Sequence, residues 1–287
     1  YFTPGADQGA WVRLRYRNLG VDDGYELNGN TYELGWTVVP KNTETEKHRF
    51  SVSGAYTKNH GQWEGYGGRL ALRDTSLNLY DTHEYRPSAE EMAKKPAWKA
   101  GTRSYWDSYF KYHHAKVDYR AEDPETGVSY SSDYDRDVFN LSTEYGRENK
   151  LSEKWSIVPQ AQVQLSYLGS FDGVDSQGLS YDGDHAWSLV GRLAFDLVKK
   201  MDPKLDNKLY FKASVLHEFL DGGDTTVSAL GESYRTEGDQ SGTWGVLGLG
   251  YSANIGSRQY FYLDAERYVG HDFCRTYNVR AGINWKF

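Results

Sequence analysis

Three stretches of the sequence hold histidines that could serve as a general base: His113-His114, His185 and His217-Glu218. Serine and aspartate are plentiful, so a hydrolytic constellation is the first chemistry to weigh. A triad, however, is a matter of geometry, and no spacing here supplies it. Around 208–220 the residues alternate as in a strand, which sends His217 to one face and Glu218 to the other. That pair cannot act together. Asp182-Gly183-Asp184 offers two carboxylates of the kind that hold Ca²⁺, but the remaining ligands of such a loop are missing. Cys274 is the single cysteine, so no internal disulfide can form, and it reads as a small strand residue rather than a reactive thiol. The expectation is no enzyme, no metal and no cofactor. The net charge of −7, with no basic cluster interleaved with aromatics, argues against a nucleic-acid partner.

A larger set of polar residues recurs with a period of two. In 157–167 the odd positions are Ile157, Pro159, Ala161, Val163, Leu165 and Tyr167, while Gln160, Gln162, Gln164 and Ser166 fall between them. Trp187, Leu189, Leu193, Phe195 and Leu197 likewise oppose Ser188, Arg192 and Asp196. Tyr277, Val279, Ile283, Trp285 and Phe287 oppose Asn278, Arg280, Asn284 and Lys286. Successive side chains of a strand point to opposite faces, so each segment has one apolar and one polar face.

Twelve such strands are predicted, near 10–19, 30–39, 48–58, 63–79, 103–121, 135–148, 154–169, 186–198, 208–220, 242–254, 259–269 and 274–287. Most reach the ~9–11 residues that a tilted strand needs to cross a bilayer. No apolar run approaches the roughly 20 residues of a spanning helix. The mean hydropathy of −0.76 suits a barrel, which shows lipid only every second side chain. The 24 Tyr and 9 Trp against 2 Met suit a wall with wet rims better than a soluble core. Connections near 19–29, 122–134, 170–185 and 221–241 are long, whereas those near 149–153, 199–207 and 255–258 are short. Outer-membrane barrels sort their loops in this way, with long ones outside and short turns in the periplasm. The predicted fold is therefore all-β, a 12-stranded antiparallel up-and-down transmembrane β-barrel, as a single domain over 1–287. No leader is visible from Tyr1 onward.

One periplasmic connection, 80–102, is long. Ser88 and Glu91 form a capping box, Glu90/Lys94 and Glu91/Lys95 are i,i+4 pairs, and Pro96 is a stop. One short helix is expected there, either a surface decoration or a contact for assembly machinery, the cell wall or the pore mouth. Pro159, which cannot donate to a ladder, should mark a strand end or bulge at the periplasmic rim.

With the apolar faces in lipid, the polar faces line the lumen, because a charge in hydrocarbon costs several kcal/mol. The expected pore-lining residues are Arg13, Arg15 and Arg17; Arg69 and Arg73; Asp107, Lys111 and His113; Glu144; Gln160, Gln162 and Gln164; Arg192 and Asp196; Lys212 and Glu218; and Asp264, Glu266 and Arg280. Gly248 and Gly250 also point inward, where they either leave room for something to approach the wall or relieve strand twist. Most of the charges read as cross-strand ion pairs that brace the wall. Twelve strands enclose a lumen about wide enough for one helix of ~10–12 Å diameter.

The stretch Leu209-Tyr210-Phe211-Lys212-Ala213-Ser214-Val215-Leu216-His217-Glu218-Phe219 resembles the "LY-K-S--HEF" strand of autotransporter β-domains. Ser188-Leu189-Val190-Gly191-Arg192-Leu193 precedes it at the spacing of that family, and Gly245-Val246-Leu247-Gly248-Leu249-Gly250-Tyr251 is similar to its "LGLG" strand. The C-terminus, with Arg280, Gly282, Trp285 and Phe287, resembles the assembly signal of outer-membrane barrels in general. The resemblance implies a type V secretion translocator in the bacterial outer membrane, probing lipid with its wall and inserted by the barrel-assembly machinery. Its partners would be its own N-terminal passenger and a linker helix, both outside this chain, and the barrel would be monomeric. Two other readings stay open: a solute-selective or general porin, for which the arginine stripe would suit anions, and a barrel hydrolase.

Overall fold

The computed structural model describes residues 8–20, 25–63, 67–94, 102–202, 207–255, 258–270 and 276–286. Twelve strands among them close into one antiparallel barrel. They are β1 (Gly9–Gly20), β2 (Tyr25–Asn42), β3 (Glu46–Trp63), β4 (Arg69–Tyr85), β5 (Arg103–Glu122), β6 (Ser129–Lys150), β7 (Trp155–Leu168), β10 (Ala186–Asp202), β11 (Asn207–Glu218), β14 (Gly242–Ile255), β15 (Gln259–Val269) and β16 (Tyr277–Lys286). Sequential strands pair throughout. The seam is closed by β1 and β16, in register from Gly9↔Lys286 to Asn18↔Tyr277. Closure leaves no open edge within the wall, which is what a backbone in hydrocarbon requires. No described helix is long and apolar enough to cross a membrane.

Alternation sorts the wall as expected. Leu34, Leu77, Leu141, Leu193, Val215 and Leu249 are all more than half exposed on the outside. Glu33, Asn78, Ser142, Lys212 and Ser252, of the opposite parity in their strands, are buried inside. Pro159 lies within β7, five residues into the strand, and pairs with Phe195 of β10. Towards β6 the ladder is interrupted between Gly146↔Gln160 and Asn149↔Ile157, yet the register is the same on both sides. The missing N–H thus leaves a gap rather than a bulge.

The helix predicted in the long periplasmic connection is α1 (Ala89–Lys94). Ser88 Oγ accepts from the Glu91 N–H at 3.2 Å, and Glu91 Oε2 accepts from the Ser88 N–H at 2.9 Å, which makes the box reciprocal. Lys94 pairs with Glu90. Lys95 and Pro96 lie outside the described residues, as do Cys274 and Phe287.

Two differences from the sequence reading bear on function. First, β4 runs over Arg69–Tyr85, not 63–79. Its end carries polar residues on both faces, Asp81 and His83 outside and Thr82 and Glu84 inside, so alternation in polarity fades there although the strand continues. Second, the long connections 170–185 and 221–241 are not irregular. They form the hairpins β8 (Phe171–Val174) with β9 (Ser180–Gly183), and β12 (Thr225–Ala229) with β13 (Glu232–Thr236). The β9–β12 ladder joins them into a four-stranded sheet. Leu230 and Gly231, at φ 52° and 86°, make the two-residue turn of the second hairpin, where both positions need left-handed backbone. Tyr134 of β6 stacks on Phe171 at 4.4 Å and ties this sheet to the wall.

Asp224 anchors the same sheet. It accepts from Arg235 at 2.6 and 3.0 Å and from the Gly238 N–H at 3.1 Å. The Arg235 guanidinium and that amide hold its carboxyl below the ordinary aspartate range. A group with a depressed folded pKa stabilises above its unfolded value of about 3.9, and that contribution is lost as pH falls below it. Amide exchange at Gly238, corrected for intrinsic rate, should therefore accelerate on acidification through that range. In Arg235→Ala the acceleration should begin at higher pH.

Candidate functional site: the barrel lumen

Three clusters of inward side chains cross the interior. The first is centred on Glu33 of β2. Arg13 Nε lies 2.8 Å from Glu33 Oε2, and Arg13 Nη2 donates to the Tyr80 hydroxyl at 2.9 Å. Tyr80 and Ser53 each donate to Glu33 Oε1 at 2.7 Å. Arg13 is on β1 and Tyr80 on β4, three strands away, so the bond between them spans the inside of the wall. Trp11 meets Tyr80 edge-on at 6.2 Å, and the Arg13 guanidinium lies over both rings, 5.3 and 5.5 Å from their centroids. Lys111 sits over Tyr109 at 4.5 Å.

The second cluster is built on Arg192 of β10. Its guanidinium reaches Glu144 on β6 at 2.7 Å, Gln162 and Gln160 on β7 at 2.7 and 2.9 Å, and Ser214 on β11 at 3.2 Å. Gln160 in turn donates to Asp196 at 3.1 Å. In the third cluster, Lys212 of β11 and Asp264 of β15 pair at 2.9 Å across the intervening β14, and the Tyr210 hydroxyl donates to Asp264 at 2.9 Å. Glu266 pairs with Arg280. At the periplasmic mouth Glu84 is held by Arg49, both side chains 2% exposed, with Arg103 at 3.5 Å.

Glycines on the inner face make these crossings possible. Register places Gly248 between Lys212 and Glu266, and Gly250 between Tyr210 and Asp264. A Cβ at 250 would fall inside the Tyr210 ring, and one at 248 would press on the Glu266 stem. The room at these glycines is therefore filled by the barrel's own side chains, and is not free for an approaching molecule. The same relation pairs Gly35 with Trp11, Gly146 with Tyr105 and Gly282 with Tyr262. Gly250→Ala should displace the Tyr210 ring and its bond to Asp264, at a cost of about 1–3 kcal/mol. Urea midpoints of the refolded barrel would measure it, and Gly250→Ala/Tyr210→Ala should cost less than the sum of the two single changes.

The autotransporter β-domain family model matches residues 8–266 of this architecture. The chain belongs to the autotransporter β-domain family. It is a β-barrel of the bacterial outer membrane. The pertactin autotransporter of Bordetella parapertussis is 28% identical over 163 residues, 56% of this chain and 17% of that protein. The chain thus spans about one sixth of the length of that relative. Among solved structures, the β domain of the Bordetella autotransporter BrkA superposes with a TM-score of 0.72 at 18% identity, over 97% of this chain and 99% of that one. The transport unit of AIDA-I from Escherichia coli superposes with a TM-score of 0.75 at 14% identity, over 100% and 93%. At such identities these two likenesses speak to the fold.

Within this β-domain most of the charged residues singled out from the sequence turn inward. Arg15 donates to Thr31 at 3.2 Å, Tyr109 to Gln164 at 2.7 Å, and His113 pairs with Asp74 at 2.9 Å. Arg17 and Asp107 follow the inward parity of β1 and β5. Glu218 is buried near the extracellular end, where it accepts from the Leu189 N–H at 2.8 Å and from Ser188. His217 turns the other way, to Thr243 at 2.7 Å. Asp184 of the candidate Ca²⁺ triplet pairs with Arg235 at 3.1 Å.

Arg69 and Arg73 are the exceptions. Both are exposed on the outer face, in the parity of Leu77, and Arg73 pairs with Asp118 at 2.5 Å. The inward residues of β4 are the even ones, from Asp74 to Glu84. A charge must turn inward only within the hydrocarbon. This part of β4 rises past it on the extracellular side, where an outward arginine meets water. Sequence reasoning also missed Glu33, Tyr80, Arg49 and Glu84. For Glu33 a signal existed, since it alternates with Tyr32, Leu34 and Trp36. Glu84 had been placed in a connection.

Proposed function

We propose that this barrel is the outer-membrane conduit through which its own N-terminal passenger reaches the cell surface, and that the lumen is the site of that transport. The carrying observation is the interior: charged, amide and hydroxyl side chains held in pairs by adjacent and non-adjacent strands. Such a wall offers a polar chain in transit replacement hydrogen bonds, and offers nothing to a lipid or an apolar solute. Family membership supports the reading. The pore-lining role falls to Arg13, Arg15, Arg17, Asp107, Lys111, Glu144, the three glutamines, Arg192, Asp196, Lys212, Glu218, Asp264, Glu266 and Arg280, and the wall itself performs no catalysis. A linker helix would occupy the lumen after transport. The wall is a monomer solvated by lipid. Its last strand, with Arg280, Gly282, Trp285 and Phe287, would be the segment read by the barrel-assembly machinery.

The test is conductance in a planar bilayer, with and without about 20 residues of the natural upstream sequence, enough helix to span the hydrocarbon. A translocator should conduct as the bare barrel and close when that segment is present. Equal conductance in both forms would favour a porin. That second reading draws on the surface-facing cavity lined by Arg13, Arg15, Lys111 and Arg280 beside Glu33, a cationic lining that suits anions.

A further inference from the structure

On the outer wall, two residues from the periplasmic ends of β3 and β4, His48 and His83 stand directly opposite each other in register. Asp81 is the next residue of β4 on the same face. This is the outward parity, shared with Val52 and Leu77. The two imidazoles stack, with centroids 4.0 Å apart and planes 11° from parallel. Both aim Nε2 at one carboxylate: His48 Nε2 lies 2.5 Å from Asp81 Oδ1, and His83 Nε2 lies 3.0 Å from Oδ2. One donor atom from each of the three residues lies within 4.8 Å of the others. Among the described residues these two rings are the ion-pair partners of Asp81. Three donor atoms of metal-ligating type from two paired strands thus converge on one point of the outer wall.

We propose that His48, Asp81 and His83 hold a divalent transition cation of the zinc class at the periplasmic rim of the barrel. Two imidazole nitrogens and a carboxylate oxygen are a donor set that suits zinc, nickel or copper rather than calcium or magnesium. Metal–ligand bonds of about 2.0–2.2 Å in a tetrahedron put donors roughly 3.4 Å apart, so small side-chain rotations convert the observed cluster into a coordination shell. A fourth position remains for water. The ligands sit on paired strands, which hold them more rigidly than loops would. Trp106, the register partner of His83, is half exposed on the same face, as aromatics at a membrane interface are. The cation would clip β3 to β4 at the point where the chain leaves the wall for α1.

The experiment uses tag-free full chain, refolded in detergent micelles, stripped with chelator and titrated calorimetrically with Zn²⁺ near neutral pH. One Zn²⁺ should bind per chain. His48→Ala, Asp81→Asn and His83→Ala should each weaken binding by more than roughly tenfold, the scale that even outer-shell changes reach. The positions face outward at the rim, and heat-modified gel mobility would confirm that each variant folds. X-ray absorption at the zinc edge of the wild-type protein should show scattering from two imidazoles. Absence of a saturable site, wild-type affinity in the three variants, or an edge spectrum without imidazole would overturn the proposal.

Discussion

Glu33→Ala is expected to cost the folded barrel about 3–5 kcal/mol, because it removes the carboxylate of a buried ion pair and leaves the cation in place. Arg13 has its Nε on Glu33 at 2.8 Å, and its Nη2 donates to the neutral Tyr80 hydroxyl at 2.9 Å. Tyr80 and Ser53 lose the same acceptor. Removing one member of a buried hydrogen-bonded ion pair costs more than removing both, since the survivor keeps its desolvation penalty. The double change Arg13→Met/Glu33→Leu should therefore recover most of the loss. Urea titration of the barrel refolded in lipid vesicles would measure all three variants, and a shifted midpoint at constant slope reports stability. A Glu33→Ala cost below about 1 kcal/mol would mean that water solvates this cluster.

The second large effect is expected on the opposite face. Leu193 is 69% exposed at the middle of the apolar row of β10, which runs from Trp187 to Leu197. Leu193→Arg should destabilise the barrel by about 2–4 kcal/mol, the cost of an arginine near the bilayer midplane. Leu230 is fully exposed at the tip of the β12–β13 hairpin. Leu230→Arg should change stability by no more than about 0.5 kcal/mol, as surface substitutions in water do. Both leucines are exposed, and they differ in the solvent that covers them. Equal effects in the same vesicle titration would contradict the membrane placement of the wall.

Much of this was legible in the residues. Alternation from Ile157 to Tyr167 and from Trp187 to Leu197 is a property of neighbours in the chain, and it identified strands and their polar faces before any fold was known. The Ser88–Glu91 box is equally local, so α1 was readable. The inward arginines of β1 followed from the cost of charge in lipid. That rule failed for Arg69 and Arg73, because the same alternation continues beyond the membrane with the solvent changed, and a local pattern does not say where hydrocarbon ends. The four-stranded extracellular sheet escaped because β9 and β12 are joined by a ladder between residues over 40 apart. What fills the space at Gly248 and Gly250 depended on the register of β11, β14 and β15. Arg13–Tyr80, Arg192–Glu144 and Lys212–Asp264 join strands that are not neighbours, and such pairs exist only once the intervening strands are paired in register and the sheet is curved. The sequence by itself determined which side chains turn inward within the bilayer. Closure, register and the height of each strand against the membrane decided which of them meet, because those quantities couple residues that no local spacing connects.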